Sequence, residues 1–294
     1  MADVQALYIE DAAYPELLRR IADPPSPLYC RGNTALLSTF CIGVVGTRLA
    51  SDYGRQATRD LAGQLAANGV TVVSGLALGI DAIAHQAALD APGKTIAVLG
   101  TGIKNLWPKE NERLGKRIIE EGGLVVSEYP GTMPGGKHTF PKRNRIISGL
   151  SRGVVVVEAN KKSGSLITAA CALDQNRDVF AVPGSIYWPR SAGSNLLIQQ
   201  GARPVMTVSD ILESYAIRHV PLPKAPLSTR DPLQQSILAL LRTQGPAHLD
   251  AVIVATQSDA AHVIAAISIL ELHNDIRHAG NNIYHATTSP HSHS

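Results

Sequence analysis

FCIGVVGTRLASDYG (40–54) decides the fold class. Its first eight residues form a continuous apolar run, the pattern of a strand buried on both faces, which belongs to parallel sheets covered by helices. Gly46 turns the chain. Ser51 or Asp52 can then cap a helix in which Leu61 and Leu65 recur at helical spacing among alanines. The same strand–turn–helix unit recurs downstream. VTVVS (70–74) precedes GIDAIAHQAALD (79–90), and KTIAVLG (94–100) precedes PKENERLGKRIIEEG (108–122), with Pro108 near the helix start. GLVVSE (123–128) precedes RNRIISGLS (143–151), and GVVVVEA (153–159) precedes SLITAACALDQ (165–175). DVFAVPG (178–184) precedes SNLLIQQG (194–201), and PVMTV (204–208) closes the series. Strands alternating with helices predict an α/β fold with a doubly wound, mostly parallel sheet. Such sheets bind ligands beyond the carboxyl ends of their strands. The loops after residues 46, 74, 100, 128, 159 and 183 are therefore the ones to examine.

Outward from this core, residues 1–38 read as a short lead-in: one short helix, then a turn held open by Pro24, Pro25 and Pro27. The sheet domain is expected over 39–216 and a proline-rich linker over 217–230. DPLQQSILALLR, HLDAVIVAT and SDAAHVIAAISILELHN follow as three helices. DIRHAGNNIYHA reads as a hairpin turning at Asn281-Asn282, which makes 231–286 a small winged-helix domain. The polar tail 287–294 is expected to be disordered.

At 294 residues, with 45% hydrophobic and 17% charged residues, the composition excludes a disordered chain. Cys30, Cys41 and Cys171 are widely spaced in apolar runs and read as core residues of a reducing compartment. No Cys/His group has zinc spacing, so no metal is expected. The start of the chain has no signal-peptide pattern, and no apolar run reaches the roughly 18 residues of a membrane span. The expectation is a soluble, cytoplasmic protein with no membrane partner.

The net charge of +3 hides a strong asymmetry. Residues 137–162 carry Lys137, Lys142, Arg143, Arg145, Arg152, Lys161 and Lys162 against Glu158 alone. The winged-helix region is net acidic. A solvated charge run needs no ligand, but this one falls at a strand's carboxyl end and brackets Phe140, one of three phenylalanines. An excess of this kind suits a polyanion.

Three loops carry the candidate chemistry. Gly46, Thr47 and Ser51 form an anion loop of backbone amides with Arg48 above it. The spacing is GxxGxR rather than GxGxxG, and no acidic residue closes the second strand to hold a ribose, so no nucleotide cofactor is expected. GGKHTFPKRNR (135–145) offers a mobile glycine pair, Lys137, and Phe140 held extended by Pro141. Arg143, Asn144 and Arg145 then open a helix. A base stacked on Phe140 with phosphates on the cations is how single strands are bound. The turn Ser163-Gly164-Ser165 adds amides and hydroxyls at another helix start, flanked by Lys161 and Lys162. GTGIKN (100–105) reads as a tight turn. Asp81 and His85, four apart on one helix, read as a cap and a packed histidine rather than a metal pair. No Walker loop, GxSxG, HExxH or carboxylate pair is present, so the residues argue for anion binding and not for catalysis.

These blocks, read in order from YPELLRRIADPPSPLYCRGN to VFAVPGSIYWPRSAGSNLLIQQGA over about residues 14–206, resemble the bacterial DNA-processing protein A family, also called DprA or Smf. The resemblance implies an extended Rossmann-like fold that binds single-stranded DNA without sequence preference, protects incoming strands in natural transformation and loads the RecA recombinase onto them. It implies no cofactor. It places the DNA pocket at Arg48, Lys137, Phe140, Arg143, Asn144, Arg145, Ser163, Gly164 and Ser165, with Lys161 and Lys162 beside it. A homodimer contact is implied near Leu196, Leu197 and Ile198. Many members carry an N-terminal helical domain like a sterile-alpha motif, for which a 38-residue lead-in is too short. The helix expected to read DNA, 259–272, has no Arg or Lys, so the winged helix is expected to contact protein rather than duplex DNA. One alternative is a nucleoside-monophosphate phosphoribohydrolase, whose PGGxGTxxE motif is echoed by Pro134-Gly135-Gly136. Here Lys137-His138-Thr139 follows, without the catalytic glutamate. Another is a purely protein-binding winged-helix adaptor.

Overall fold

The computed structural model describes residues 3–219, 231–272, 275–280 and 282–287. It divides into two units, 1–222 and 223–294. Most of the expected linker, the turn residue Asn281 and the tail beyond 287 lie outside the described residues.

The described residues of the first unit form nine strands: β1 (Gln5–Leu7), β2 (Leu28–Gly32), β3 (Cys41–Val45), β4 (Thr71–Ser74), β5 (Thr95–Gly102), β6 (Leu124–Tyr129), β7 (Gly153–Val156), β8 (Asp178–Ala181) and β9 (Arg203–Pro204). They form one sheet in the order β1-β2-β6-β5-β4-β3-β7-β8-β9. From β6 to β9 every pairing is parallel. The helices are α1 (Glu16–Arg19), α2 (Asp52–Ala67), α3 (Ile80–Asp90), α4 (Glu112–Glu120), α5 (Thr139–Leu150), α6 (Ser165–Asp174), α7 (Ala192–Gln199) and α8 (Ser209–Leu212).

Side-chain alternation along β3 shows why helices cover both faces. Ile42 and Val44 pack with Leu61, Leu65, Ile80 and Ala84 of α2 and α3. Cys41 and Val45 pack with Ile146, Ile147 and Leu150 of α5 and with Ala169 of α6. Successive strands step from β3 to β6 in one direction and from β7 to β9 in the other. The direction reverses between β3 and β7, so the carboxyl ends of those two strands flank an opening.

The lead-in differs from the expectation. β1 and β2 pair with each other and β2 pairs with β6, all antiparallel. Residues 5–32 therefore complete the sheet, and no boundary falls at 38. Gly32 permits the close approach: at φ +110°, a Cβ there would lie 2.4 Å from the Gly123 carbonyl oxygen. Of the final run 204–208 only Pro204 is in a strand, the two-residue β9.

The second unit contains α9 (Pro232–Thr243), β10 (Ala247–His248), α10 (Leu249–Thr256), α11 (Ala260–Leu272), β11 (Ile276–His278) and β12 (Ile283–Ala286). Beyond the expected three helices and hairpin, β10 adds a third strand, giving the order β10-β12-β11. Ile237, Leu241, Val252, Val263, Ile267 and Leu270 form its core. The exposed side of α11 shows His262, Ile264, Ser268 and Ile269 and bears no cation.

Candidate nucleic-acid interface

A cavity of about 700 Å³ opens at the reversal point of the sheet. The loop after β3 (Gly46–Leu49), the turn before α6 (Ser163–Ser165), the 136–137 loop and the first turns of α5 line it. The sequence-predicted residues Arg48, Lys137, Phe140, Arg143, Asn144, Ser163, Gly164 and Ser165 are brought together here. Arg145, Lys161 and Lys162 are not among its lining residues.

Arg48 and Lys137 are exposed, with no carboxylate paired to either among the described residues. Phe140 is half-buried and aimed by its neighbours: Gly100 and Gly135 leave room for its ring, since a Cβ on either would come within about 2.6 Å of it. Trp107 lies on it, with ring centroids 5.0 Å apart and a tilt of 35°. Trp107 is 41% exposed and escaped the sequence reading. The scarcity of aromatics was the available signal, because a tryptophan in the loop beyond a strand's carboxyl end is a candidate platform.

Phe140 is helical rather than extended. α5 begins at Thr139, and the Phe140 amide donates to the Gly136 carbonyl at 3.3 Å. Pro141 then occupies the first turn, where its missing N–H is no loss. The early start separates the two arginines. Residues two apart on a helix point about 200° apart, so Arg143 and Arg145 cannot share a face. Arg145 turns away and pairs with Glu128 at 2.6 Å and with Asp23 at 3.0 Å. Lys142 joins the same carboxylate at 3.2 Å. Half of the RNR run therefore braces the antiparallel edge.

Arg143 reaches the cavity floor but is buried, at 6% exposure. Its Nη1 donates to the carbonyls of Gly75 (2.7 Å) and Val98, and its Nε donates to Asn144 Oδ1 at 3.1 Å. Burial lowers its pKa to about 10, partly offset by Asp81. It stays a cation at neutral pH and puts positive potential under the opening. Asn144 in turn donates to the Gly164 carbonyl at 3.2 Å, tying α5 to the serine turn. In that turn Ser163 Oγ and Ser165 Oγ are 2.8 Å apart. The N-cap of α6 is Gly164, and the first amides of the helix are satisfied within the turn: Ser165 donates to Ser163 Oγ at 3.4 Å, Leu166 to the Ser163 carbonyl at 3.1 Å and Ile167 to the Gly164 carbonyl at 3.2 Å, which leaves the two serine hydroxyls as the turn's polar groups on the cavity.

The anion loop is more self-contained than expected. The Thr47 amide donates to the Glu158 carbonyl at 2.7 Å. The Ser51 amide and hydroxyl donate to the Glu158 carboxylate at 2.9 and 2.7 Å. Glu158 is 1% exposed and supplies the anion that the amino end of α2 attracts. Gly54 accommodates it, because a Cβ there would lie 2.5 Å from Glu158 Oε2. Gly46 and Thr47 still line the cavity, whereas Ser51 is committed to Glu158 and lies outside it. The cavity's positive character therefore comes from Arg48, Lys137 and Arg143.

Asp81 accepts from the Gly75 amide at 3.1 Å, and burial raises its pKa. His85 Nε2 accepts from the Leu76 amide at 3.3 Å and its Nδ1 donates to Thr95 Oγ1 at 2.7 Å. Asp81 and His85 are thus a turn cap and a packed histidine. At the expected dimer contact, Leu197 is buried in the core and cannot face a partner, and Ile198 packs against the same cluster. Leu196 is half-buried.

Comparison with known proteins agrees with this geometry. The model of the DNA recombination-mediator protein A family matches residues 5–216, and that of the DprA winged helix domain matches 221–282. Protein Smf of Escherichia coli is 48% identical over 213 residues, which cover 72% of this chain and 57% of that protein. The chain thus spans little more than half the length of that relative. The X-ray structure of DNA processing protein A from Streptococcus pneumoniae superposes with a TM-score of 0.68 at 46% identity, covering 72% of this chain and 74% of that one. The structure of the Helicobacter pylori protein, described for its single-stranded DNA binding mode, superposes at 0.66 with 32% identity, covering 74% and 98%. The fold, the order of the motifs and these matches have one reading: the chain belongs to the DNA recombination-mediator protein A family.

Proposed function

We propose that the chain binds single-stranded DNA without sequence preference in the cavity between β3 and β7, and so protects incoming strands in natural transformation and recombination. The observation that carries this reading is one opening where Arg48 and Lys137, neither paired with a carboxylate among the described residues, meet the hydroxyls of the Ser163–Ser165 turn beside a half-buried Phe140. Phosphates suit the first two features and an unpaired base suits the third. The floor is a buried cation rather than a reader of base edges, which fits binding that ignores sequence. Membership of a recombination-mediator family supports a mediator that hands the strand to the RecA recombinase, acts as a homodimer in the cytoplasm and performs no catalysis. Among the described residues no single helix is long and apolar enough to cross a membrane. The cation-free exposed side of α11 supports a winged helix that contacts protein. The phosphoribohydrolase alternative has nothing in its favour, because the glutamate its motif requires is missing after Lys137-His138-Thr139.

Mobility shift with single- and double-stranded oligonucleotides of several sequences tests the reading. Single strands should bind more tightly, and equally across sequences. Arg48→Ala should weaken them about tenfold at low salt, close to 1.4 kcal/mol. The log–log salt slope should become shallower by about 0.7, the share of one phosphate. Arg48→Ala binding like the parent would place the strand elsewhere.

A further inference from the structure

A second cavity, of about 850 Å³, is lined in part by Arg31, Lys104, Leu106, Lys109 and Lys116. Two acids, Asp3 and Glu112, also line it. Lys116 is paired with Glu112 at 2.7 Å, and Arg31 reaches the Ile103 carbonyl at 3.5 Å. Lys104 and Lys109 are exposed and make no close ion pair among the described residues, although the Lys109 charge reaches the Glu112 carboxylate. The sequence GTGIKN (100–105), which the central site leaves unused, therefore delivers a free cation at the carboxyl end of β5.

The two cavities are joined by the aromatic pair. Phe140 lines the central one. Trp107 rests on Phe140, and its chain neighbours Leu106 and Lys109 line the second. Trp107 is thus an exposed ring on the ridge between two cationic basins. A protein-docking patch would surround the ring with exposed aliphatic side chains, whereas here the free groups beside it are ammonium ions. An exposed ring flanked along the chain by Lys104 and Lys109 suits a base and its neighbouring phosphates.

We propose that a single strand leaving the central cavity crosses this ridge, stacks a base on Trp107 and lays its next phosphates against Lys104 and Lys109, forming a second nucleotide-binding segment. The proposal rests on the single-stranded DNA reading of the central site. Its test compares oligothymidylates of about four and about twenty nucleotides, lengths that bracket one and several binding segments. Lys104→Gln combined with Lys109→Gln should weaken the long strand about tenfold and make its salt slope shallower by about 1.4, leaving the short strand unaffected. With Trp188→Phe, Trp107 is the only tryptophan left, and its emission should be quenched by the long strand and not by the short one. Thymidine monophosphate and inorganic phosphate, at millimolar concentration, should leave that emission unchanged. A response to either would mean a small-anion site and overturn the proposal. So would equal losses on both lengths, or no loss on either while Arg48→Ala weakens both. If Arg48→Ala leaves short-strand binding intact, the central reading itself has failed and the extension falls with it.

Discussion

Replacing Arg143 by methionine is expected to destabilise the first unit by roughly 3–5 kcal/mol, the range for breaking a buried ionic network from one side. The guanidinium serves carbonyls of two neighbouring chain segments: Gly75 follows the end of β4 and Val98 lies within β5. Methionine fills similar space but donates nothing, so both oxygens lose their partner and the buried Asp81 loses the nearby cation that stabilises its charge. For a unit of this size a fall in Tm of about 10 °C follows from about 2–4 °C per kcal/mol. Lysine keeps the charge but has no planar fork to span two carbonyls, so Arg143→Lys should recover only part of the loss. Thermal unfolding of the three proteins, together with strand-binding titrations, checks this. Single-stranded DNA affinity should fall only as far as the folded fraction and the cavity floor are disturbed. An unchanged Tm with abolished binding would instead make Arg143 a direct phosphate ligand, as the sequence reading had it.

Arg143 and Arg145 show how far sequence can be read here. Alternation of apolar runs with amphipathic segments is a local property, and it located the parallel strands from β3 to β8 and the rim beyond their carboxyl ends. It also placed Arg48, Lys137, Phe140, Asn144 and the serine turn on that rim. The direction of a side chain depends on where its helix begins, and one proline before the RNR run pointed to the wrong start. Charge run and pocket therefore parted company: Arg145 and Lys142 went to Glu128, which only the folded sheet brings near. Glu158 is a similar case. It looked like the last residue of a strand, yet it lies 107 positions from Ser51 in the chain and fills the amino end of α2. The antiparallel edge was hidden because β1 and β2 are short and half-exposed, so they lack the continuous apolar run that betrays a central strand. Trp107 shows an aromatic's role only once Phe140 is under it.

Acid should loosen this protein through one buried histidine. His85 is fully enclosed, accepts from the Leu76 amide and donates to Thr95 Oγ1, whose own proton goes to the Val72 carbonyl at 2.6 Å. Both ring nitrogens are used, and the chain of bonds requires the neutral ring. Burial, reinforced by the Arg143 charge, lowers its pKa from 6.5 to about 3. The unfolded chain therefore takes up a proton near pH 6.5 that the folded chain refuses until about pH 3. Stability is full above the unfolded pKa and is lost progressively as the pH falls through that window. At pH 4 the loss from this residue alone is about 3 kcal/mol, from 1.36 kcal/mol per pH unit over the interval below 6.5. Glutamine has an amide oxygen to accept and an NH₂ to donate but no proton to take up, so His85→Gln should be less stable at pH 7 through imperfect fit. Its unfolding free energy, measured by denaturant titration, should nevertheless decline less steeply between pH 6.5 and 4 than the parent's. Parallel pH profiles would show that His85 is not the group that titrates. A convergence of the two curves at low pH would place the acid sensitivity of the sheet at the helix beneath the central cavity, because α3 carries both His85 and the Asp81 that lines the opening.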